Sequence, residues 1–230
     1  MAKDNRRRPL PRAGSLHFAN AKSHRSSKSR RQRYRVLTFP WRMNSFEKWC
    51  CGSALWRYLT RGQLLPWMLR DSHLGDHLLE LGAGPGAATI ELAHRAPRVT
   101  SLEYDHALAL KLRRRVNLSS VTVIQGDAAA LPFPDGTFSS VISILMLHHL
   151  KSIELQDRTF AEVRRVLRPG GIFLAFDIPD GWIHRVSHIK STFVPMDPST
   201  APQRLLGAGL SHVRMESRSG AFLLRAVLPE

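Results

Sequence analysis

The residues best suited to hold a ligand lie at positions 78–87, where an apolar run ends in a turn that carries Gly82, Gly84 and Gly86. Glycine lets a backbone approach a ligand closely and adopt conformations closed to other residues. The helix predicted after the turn offers backbone N–H donors and a partial positive charge, which suit a carboxylate or phosphate. The loop also fits the dinucleotide fingerprint loosely, with Ala87 in the third glycine position, so alone it leaves the cofactor class open.

Two further acids follow predicted strands and narrow the choice. Glu103 lies 21 positions after Gly82, where a carboxylate can accept hydrogen bonds from two ribose hydroxyls. This placement serves NAD and S-adenosylmethionine equally. Asp127 and Ala128 follow the third predicted strand, where the carboxylate can accept from an adenine amino group and the next N–H can donate to the ring. Dinucleotide-binding folds do not typically carry that second signature.

His148, His149 and His188 are candidates for proton transfer, because histidine titrates near neutral pH. His148 and His149 follow the fourth predicted strand, while His184 and His188 have the i, i+4 spacing of one helix face. We predict His149 and His188 as catalytic candidates, with surface or packing roles as the alternative. The spacing of His184 and His188 would permit a metal, but no nearby set of cysteine or carboxylate ligands supports one, so we expect none.

The elements that position these residues alternate between strand and helix after Gly75, which predicts right-handed βαβ crossovers and a parallel sheet in an α/β fold. The last two strands should form an antiparallel hairpin around Ser219 and Gly220. The predicted strands are 77–81, 99–103, 121–125, 141–145, 172–176, 212–216 and 222–227, and the predicted helices are 87–95, 106–116 and 153–167.

Two longer motifs complete a family pattern. One runs from Leu131 to Phe138 into the fourth strand, and the other from Glu162 to Gly171 into the fifth. With the glycine loop and both acids, residues 76–177 resemble the small-molecule class I S-adenosylmethionine-dependent methyltransferases, a family that includes enzymes of ubiquinone and menaquinone biosynthesis. The resemblance implies a Rossmann-like, seven-stranded, mostly parallel sheet with helices on both faces and an antiparallel last strand.

The resemblance also implies a role for each site residue, with S-adenosylmethionine at the carboxyl ends of the strands. It places the methionine part against the glycine loop, the ribose on an acid, the adenine after the third strand and the sulfonium at the end of the fourth. On this resemblance, the methionine part would face Glu80, Gly82, Gly84 and Gly86, and Glu103 would hold the ribose. Asp127 and Ala128 would hold the adenine, and Ser143 would line the sulfonium side. A sulfonium methyl is already activated, so the protein chiefly aligns the acceptor and excludes water.

The chain divides by composition near position 42. Residues 1–42 hold 13 Lys and Arg but one acid, whereas the rest of the chain holds 21 Lys and Arg and 17 acids. We predict that 1–42 is a disordered basic extension, or that Met43 is the true start, and that 43–230 is the methyltransferase domain. Within it, 43–75 should form a helical cap that serves either as a lid over the acceptor or as core packing.

Cysteine content and hydropathy bear on the compartment. Cys50 and Cys51, the only cysteines, are adjacent and cannot build a disulfide framework or a four-ligand zinc site. We expect a reducing, cytoplasmic location. The sequence shows no apolar run near the 18 to 20 residues of a membrane span.

Several functions remain open on the sequence alone. The favoured one is methyl transfer to an oxygen, nitrogen or carbon of a small molecule. A nucleic-acid methyltransferase would use the basic extension for phosphate contacts, but Ser143–Met146 replaces the Asn/Asp-Pro-Pro-aromatic run used for exocyclic amines. A non-catalytic cofactor-binding protein and an NAD-dependent oxidoreductase are further alternatives. The acceptor and the oligomeric state are not predicted.

Overall fold

The computed structural model describes residues 44–189 and 191–230, so the predicted extension at 1–42 lies outside the described residues. Its α-helices are α1 Ser45–Gly52, α2 Ala54–Leu59, α3 Leu65–Met68, α4 Thr89–Ala93, α5 His106–Arg115, α6 Ile153–Val166, α7 Trp182–Ser187 and α8 Ala201–Gly207. A π-helical turn spans Thr60–Leu64, and a 3-10 turn spans Leu147–His149. The strands are β1 His77–Leu81, β2 Arg98–Glu103, β3 Val121–Gln125, β4 Phe138–Ile144, β5 Leu167–Asp177, β6 Ser211–Arg218 and β7 Ala221–Val227.

The seven strands form one sheet in the order β3-β2-β1-β4-β5-β7-β6. Strands β1 to β5 pair in parallel, β7 runs antiparallel to β5, and β6 pairs antiparallel with β7. The predicted Rossmann-like sheet, its antiparallel last strand and the final hairpin are therefore confirmed. Strands β2 and β3 lie on one side of β1, and β4 and β5 lie on the other. Because the strand order reverses at β1, a crevice opens beyond its carboxyl end.

Neighbouring residues of β1 pack in two different hydrophobic cores, one on each face of the sheet. Leu79 packs in a core with Phe160 of α6 and Leu205 of α8. Leu78 packs in the other core with Met68 of α3 and Leu92 of α4. Since successive side chains of a strand point to opposite faces, this division places helices on both sides of the sheet, as predicted.

The main differences from the predicted elements lie around β4 and β5. Strand β4 begins at Phe138 rather than 141, and β5 begins directly where α6 ends. Gly171 accepts from Leu228 N–H and its neighbour Gly170 donates to the Leu228 carbonyl, so the Pro-Gly-Gly segment at 169–171 is held as strand. Helices α7 and α8 were not predicted, because six or seven residues give too little periodicity to read.

The predicted helical cap is built from α1, α2, the π-helical turn and α3. Ser53 caps α2 by accepting from Trp56 N–H, and Pro66 lies in the first turn of α3. Its last part packs into the core, with Leu65 and Met68 fully buried. Residues 49–58 are more open, with Trp49, Leu55 and Tyr58 exposed in the described structure.

No helix in residues 44–189 or 191–230 has both the length and the apolar character that crossing a membrane requires.

Candidate active site

A cavity of about 890 Å³, part of it open to solvent, lies where β1, β2, β3 and β4 end. Its walls come from the glycine loop, the ends of the next strands and the cap. The lining residues are Cys51, Trp56, Thr60, Glu80, Gly82–Pro85, Ala87, Ala88, Leu102–Tyr104, Gly126, Ala128, Ile144–Met146, His149 and Leu150.

The glycine loop turns sharply into α4, and its glycines serve different purposes. Gly82 has φ +70°, and a Cβ there would lie 2.3 Å from Cγ of Met146, so no larger residue fits. Gly84 has φ +54° and faces the cavity, and a Cβ would meet no atom within 4 Å. Gly86 was predicted to face the cofactor but does not line the cavity; its Cβ position lies 2.3 Å from Leu112 of α5.

Glu103 at the end of β2 is locked beside this loop. One carboxylate oxygen, Oε2, accepts from Gly84 N–H at 2.7 Å, and Oε1 accepts from Asp105 N–H at 2.8 Å. Only 5% of the residue is exposed. Each carboxylate oxygen has two acceptor sites, so both retain capacity for a ligand hydroxyl. The geometry fits the predicted ribose contact.

Glu80 of β1 lies deeper in the same wall. Its Oε2 accepts from the hydroxyls of Thr89 and Ser101, each at 2.7 Å. The carboxylate is thus oriented by α4 and β2, while Oε1 is its second acceptor. Glu80 lines the cavity at the position predicted for the methionine part of the cofactor.

The two buried carboxylates determine the electrostatics of the site. Burial raises the pKa of Glu103, against the hydrogen bonds from Asp105 and Gly84, which lower it. Burial also raises the pKa of Glu80, with the charge of Glu103 adding to the effect. A cationic ligand in the cavity would stabilise both ionised groups, whereas a pyrophosphate would oppose them.

Beyond β3, the residues predicted to hold adenine are only partly in the wall. Ala128 is buried and lines the cavity together with Gly126. Asp127 is exposed, and its Oδ1 accepts from Ala129 N–H at 2.9 Å. That bond fixes the turn, and the carboxylate keeps acceptor capacity for an amino group at the cavity rim.

Ser143 is placed differently from its predicted role. It is fully buried within β4 and is not among the lining residues. Its hydroxyl finds no hydrogen-bond partner in the described part of the chain. The residues that follow it, Ile144, Leu145 and Met146, form the wall instead.

The structure brings together three of the four histidines. His148 is buried and its Nδ1 lies 2.5 Å from Oδ1 of Asp177. His149 lines the cavity, and burial lowers its pKa well below the ordinary value. His188 does not line the cavity but places its ring 5.0 Å from that of His148 and 5.3 Å from that of His149. His184, the predicted helical partner of His188, contributes its backbone carbonyl to this cluster.

Cap residues close one side of the cavity. Cys51, Trp56 and Thr60 are among the lining residues, so the cap contributes to the cavity wall. The Thr60 hydroxyl is buried and finds no hydrogen-bond partner among the described residues. Leu65 and Met68 of α3 thus pack in the core, and residues before α3 line the cavity; the lid role of these earlier residues stays a prediction.

Two features of the site were missed from the sequence. Asp177, at the end of β5, accepts from Leu147 N–H as well as facing His148, so it fixes the turn after β4. Arg165 of α6 donates to the carbonyls of Leu131 and Phe133 and to the carboxylate of Glu162. Asp177 could have been found from the sequence, because it is an acid that ends an apolar strand. The contacts of Arg165 with Leu131 and Phe133 could not, because they join distant segments of the chain.

Residues 79–175 match the family described as "Methyltransferase domain". The chain is 37% identical over 112 residues to an uncharacterized methyltransferase of Synechocystis, covering 47% of this chain and 51% of that protein. It is 32% identical over 136 residues to a demethylmenaquinone methyltransferase of Symbiobacterium thermophilum, covering 54% and 53%. The chain thus spans about half the length of these curated relatives.

A solved structure extends the likeness to most of the fold. The complex of the Haloferax volcanii Trm112 methyltransferase activator with its methyltransferase contains a chain that matches with a TM-score of 0.68 and 20% identity. The match covers 82% of this chain and all of that one. Together with the sheet order, these likenesses identify residues 79–175 as a methyltransferase domain and the fold as that of Rossmann-like methyltransferases.

Proposed function

We propose that the protein transfers the methyl group of S-adenosylmethionine to a small, largely apolar acceptor. One observation carries this proposal. The glycine loop, two buried carboxylates, the turn after β3 and the cap all border one cavity. Its polar lining residues suit an adenosyl sulfonium, and its apolar lining residues, among them Leu145, Met146 and Leu150, suit an apolar molecule.

Different residues in or beside the cavity would bind different parts of the cofactor. The Glu103 carboxylate would accept from the ribose hydroxyls, with Ala128 and Asp127 beside the adenine. Gly84 leaves the space through which the methionine part would approach the loop. Glu80 adds negative charge near the cationic end. These assignments follow from the position of each residue in or beside the cavity.

The reaction needs little chemistry from the protein. A lone pair of the acceptor forms a bond to the methyl carbon while the electrons of the carbon–sulfur bond return to sulfur, and S-adenosylhomocysteine leaves. The protein must hold the two reactants in line and exclude water. Residues Trp56 and Thr60 of the cap line the same cavity as Met146 and would contribute to that enclosure. The sulfonium charge disappears in the step, which weakens attraction to Glu80 and Glu103 and favours release.

We infer the acceptor class from the residues that enclose the cavity rather than from the names of the relatives. Their names point to acceptors as different as demethylmenaquinone and ribosomal RNA. The cap contributes Cys51, Trp56 and Thr60 to the cavity lining, which favours an acceptor small enough to enter the cavity over a polymer held on an open face. Catalytic roles for His149 and His188 stay predictions. His149 borders the cavity, whereas His188 lies behind it.

Incubating the full chain with methyl-tritiated S-adenosylmethionine and separate pools of small metabolites, lipids and total RNA tests the proposal. We expect label in an apolar small-molecule or lipid fraction, and none with the Gly84→Ala variant. Label in the RNA pool alone would overturn the acceptor class. Tight binding of S-adenosylhomocysteine without transfer to any pool would overturn the transfer itself and favour a non-catalytic cofactor-binding protein.

A further inference from the structure

Three histidines from two distant segments converge behind the cavity wall. His148 and His149 belong to the 3-10 turn after β4, and His188 follows α7. One ring nitrogen of each lies within 4.8 Å of the others. His148 is 2% exposed and His149 is 8% exposed, so at least two of these rings meet in a nearly dry setting.

Hydrogen bonds orient each ring in the same sense. Nδ1 of His148 faces the Asp177 carboxylate at 2.5 Å, and Nδ1 of His149 faces the Thr192 carbonyl at 3.2 Å. Nδ1 of His188 lies 2.6 Å from the His184 carbonyl. Carboxylates and carbonyls only accept, so each Nδ1 carries a proton and Nε2 is the nitrogen with the lone pair in a neutral ring.

This pattern is the one that metal-binding histidines show. Such a ring almost always donates its other N–H to a carboxylate or backbone carbonyl, which fixes its tautomer and raises its basicity as a ligand. Here one ring donates to a buried carboxylate, that of Asp177, and the other two donate to carbonyls. All three therefore already have the outer partners that a metal site requires.

The separation between two of the rings supports the same conclusion. Nε2 of His148 lies 3.3 Å from Nε2 of His188. Two lone pairs at that distance repel unless a proton or a cation is shared between them. Two nitrogens bound to tetrahedral zinc at about 2.0–2.1 Å would lie about 3.3 Å apart. One ring nitrogen of His149 lies within 4.8 Å of a ring nitrogen of each of the other two histidines, close enough for His149 to join such a set after a small movement.

We propose that His148, His149 and His188 bind one divalent transition metal ion, zinc being the first candidate, with Asp177 as the outer partner of His148. Three imidazoles suit zinc, and three protein ligands leave its fourth position for water or for an oxygen, nitrogen or sulfur atom of a bound molecule. Because His149 also lines the cavity, the ion would lie at the cavity wall. Phe193, stacked on His188 with ring centroids 4.5 Å apart, forms part of an apolar surround.

The arrangement differs from the helical pair that the sequence suggested. Spacing drew attention to His184 with His188, whereas the structure sets His188 against two residues forty positions earlier. This difference supplies a matched control. His184→Gln removes a neighbouring imidazole of α7 but retains the backbone carbonyl that orients His188.

The experiment is a titration of the chelator-treated full chain with Zn²⁺ by calorimetry and with Co²⁺ by visible absorption. We expect one ion per chain and the visible bands of tetrahedral Co²⁺. His188→Gln should weaken binding by more than 100-fold, beyond the roughly 10- to 100-fold that loss of an outer partner costs. Asp177→Asn should fall within that smaller range, and His184→Gln should bind as the parent does.

Binding of S-adenosylhomocysteine to each variant serves as the check on folding. Failure of the parent protein to bind either ion while it binds S-adenosylhomocysteine would overturn the metal site and leave a shared proton between His148 and His188. Equal metal affinity of the His188→Gln and His184→Gln variants would overturn it as well. Neither result would bear on methyl transfer, which the labelling experiment tests separately.

Discussion

The carboxylate of Glu103 and the backbone N–H of Gly84 are joined by a 2.7 Å hydrogen bond, which ties the end of β2 to the turn after β1. The bond links the predicted ribose acceptor to the predicted methionine loop before any cofactor binds. A preformed site loses less conformational freedom on binding. Substitutions of Glu103 and Gly84 can therefore distinguish an effect on cofactor binding from an effect on folding.

Replacing Glu103 by Gln should weaken S-adenosylhomocysteine binding by about 10- to 100-fold, because a hydrogen bond to a charged group contributes about 1.5–3 kcal/mol. The Gln amide also directs an NH₂ group at one of the two N–H donors that the carboxylate now satisfies. Isothermal titration calorimetry measures the change. Glu154→Gln, at an exposed carboxyl group on α6, is the control and should bind normally. Equal affinity of both variants would remove Glu103 from the cofactor site.

Gly84→Ala should abolish cofactor binding at a modest cost in stability. A Cβ at Gly84 meets no protein atom within 4 Å, so the methyl group projects into space reserved for the ligand, and the positive φ costs about 1–2 kcal/mol. Gly136→Ala is a close match, with φ +58° and no atom within 4 Å, but lies outside the cavity lining. Thermal unfolding should give similar losses for the two, while only Gly84→Ala loses binding. Loss of binding in both would show a general effect of strain.

Thr60 and Ser143 both carry buried hydroxyls without a hydrogen-bond partner among the described residues, but only Thr60 lines the cavity. Thr60→Val and Ser143→Ala should each leave the free energy of unfolding unchanged or raise it by up to about 1 kcal/mol, since each removes an unsatisfied polar group. We expect Thr60→Val alone to weaken binding of cofactor or acceptor. Urea unfolding and calorimetry together decide the matter. Weaker binding in Ser143→Ala would instead restore Ser143 as a ligand contact.

Arg165 and Glu162 hold the segment between β3 and β4 in place. Arg165 lowers the pKa of Glu162 below its ordinary value of 4.5. A depressed acid pKa stabilises the fold above the unfolded pKa, and the contribution is lost as pH falls through the folded value. Glu162→Gln should therefore be less stable than the parent by about 1–3 kcal/mol at pH 7, and the difference should shrink below about pH 4. Urea unfolding across this range measures it, and a difference independent of pH would contradict the assignment.

The sheet was predictable because its strands are apolar runs separated by turn residues. Part of the cavity wall was predictable for the same reason, since Gly82, Gly84, Glu80 and Glu103 lie at or next to strand ends. What the sequence did not reveal depends on contacts between distant segments. His188 meets His148 only because the chain after β5 folds back behind the turn after β4. Likewise, Ser143 was assigned to the cofactor because its strand was correct, but its side chain points into the core.

We propose that the cavity beside the glycine loop binds S-adenosylmethionine and its product, S-adenosylhomocysteine. Calorimetric titration of the full chain with S-adenosylhomocysteine, with NAD titrated in parallel, tests that claim most directly. We predict one site with micromolar or tighter affinity for S-adenosylhomocysteine and no heat with NAD. Absence of binding to S-adenosylhomocysteine and S-adenosylmethionine, or binding of NAD in their place, would contradict the account.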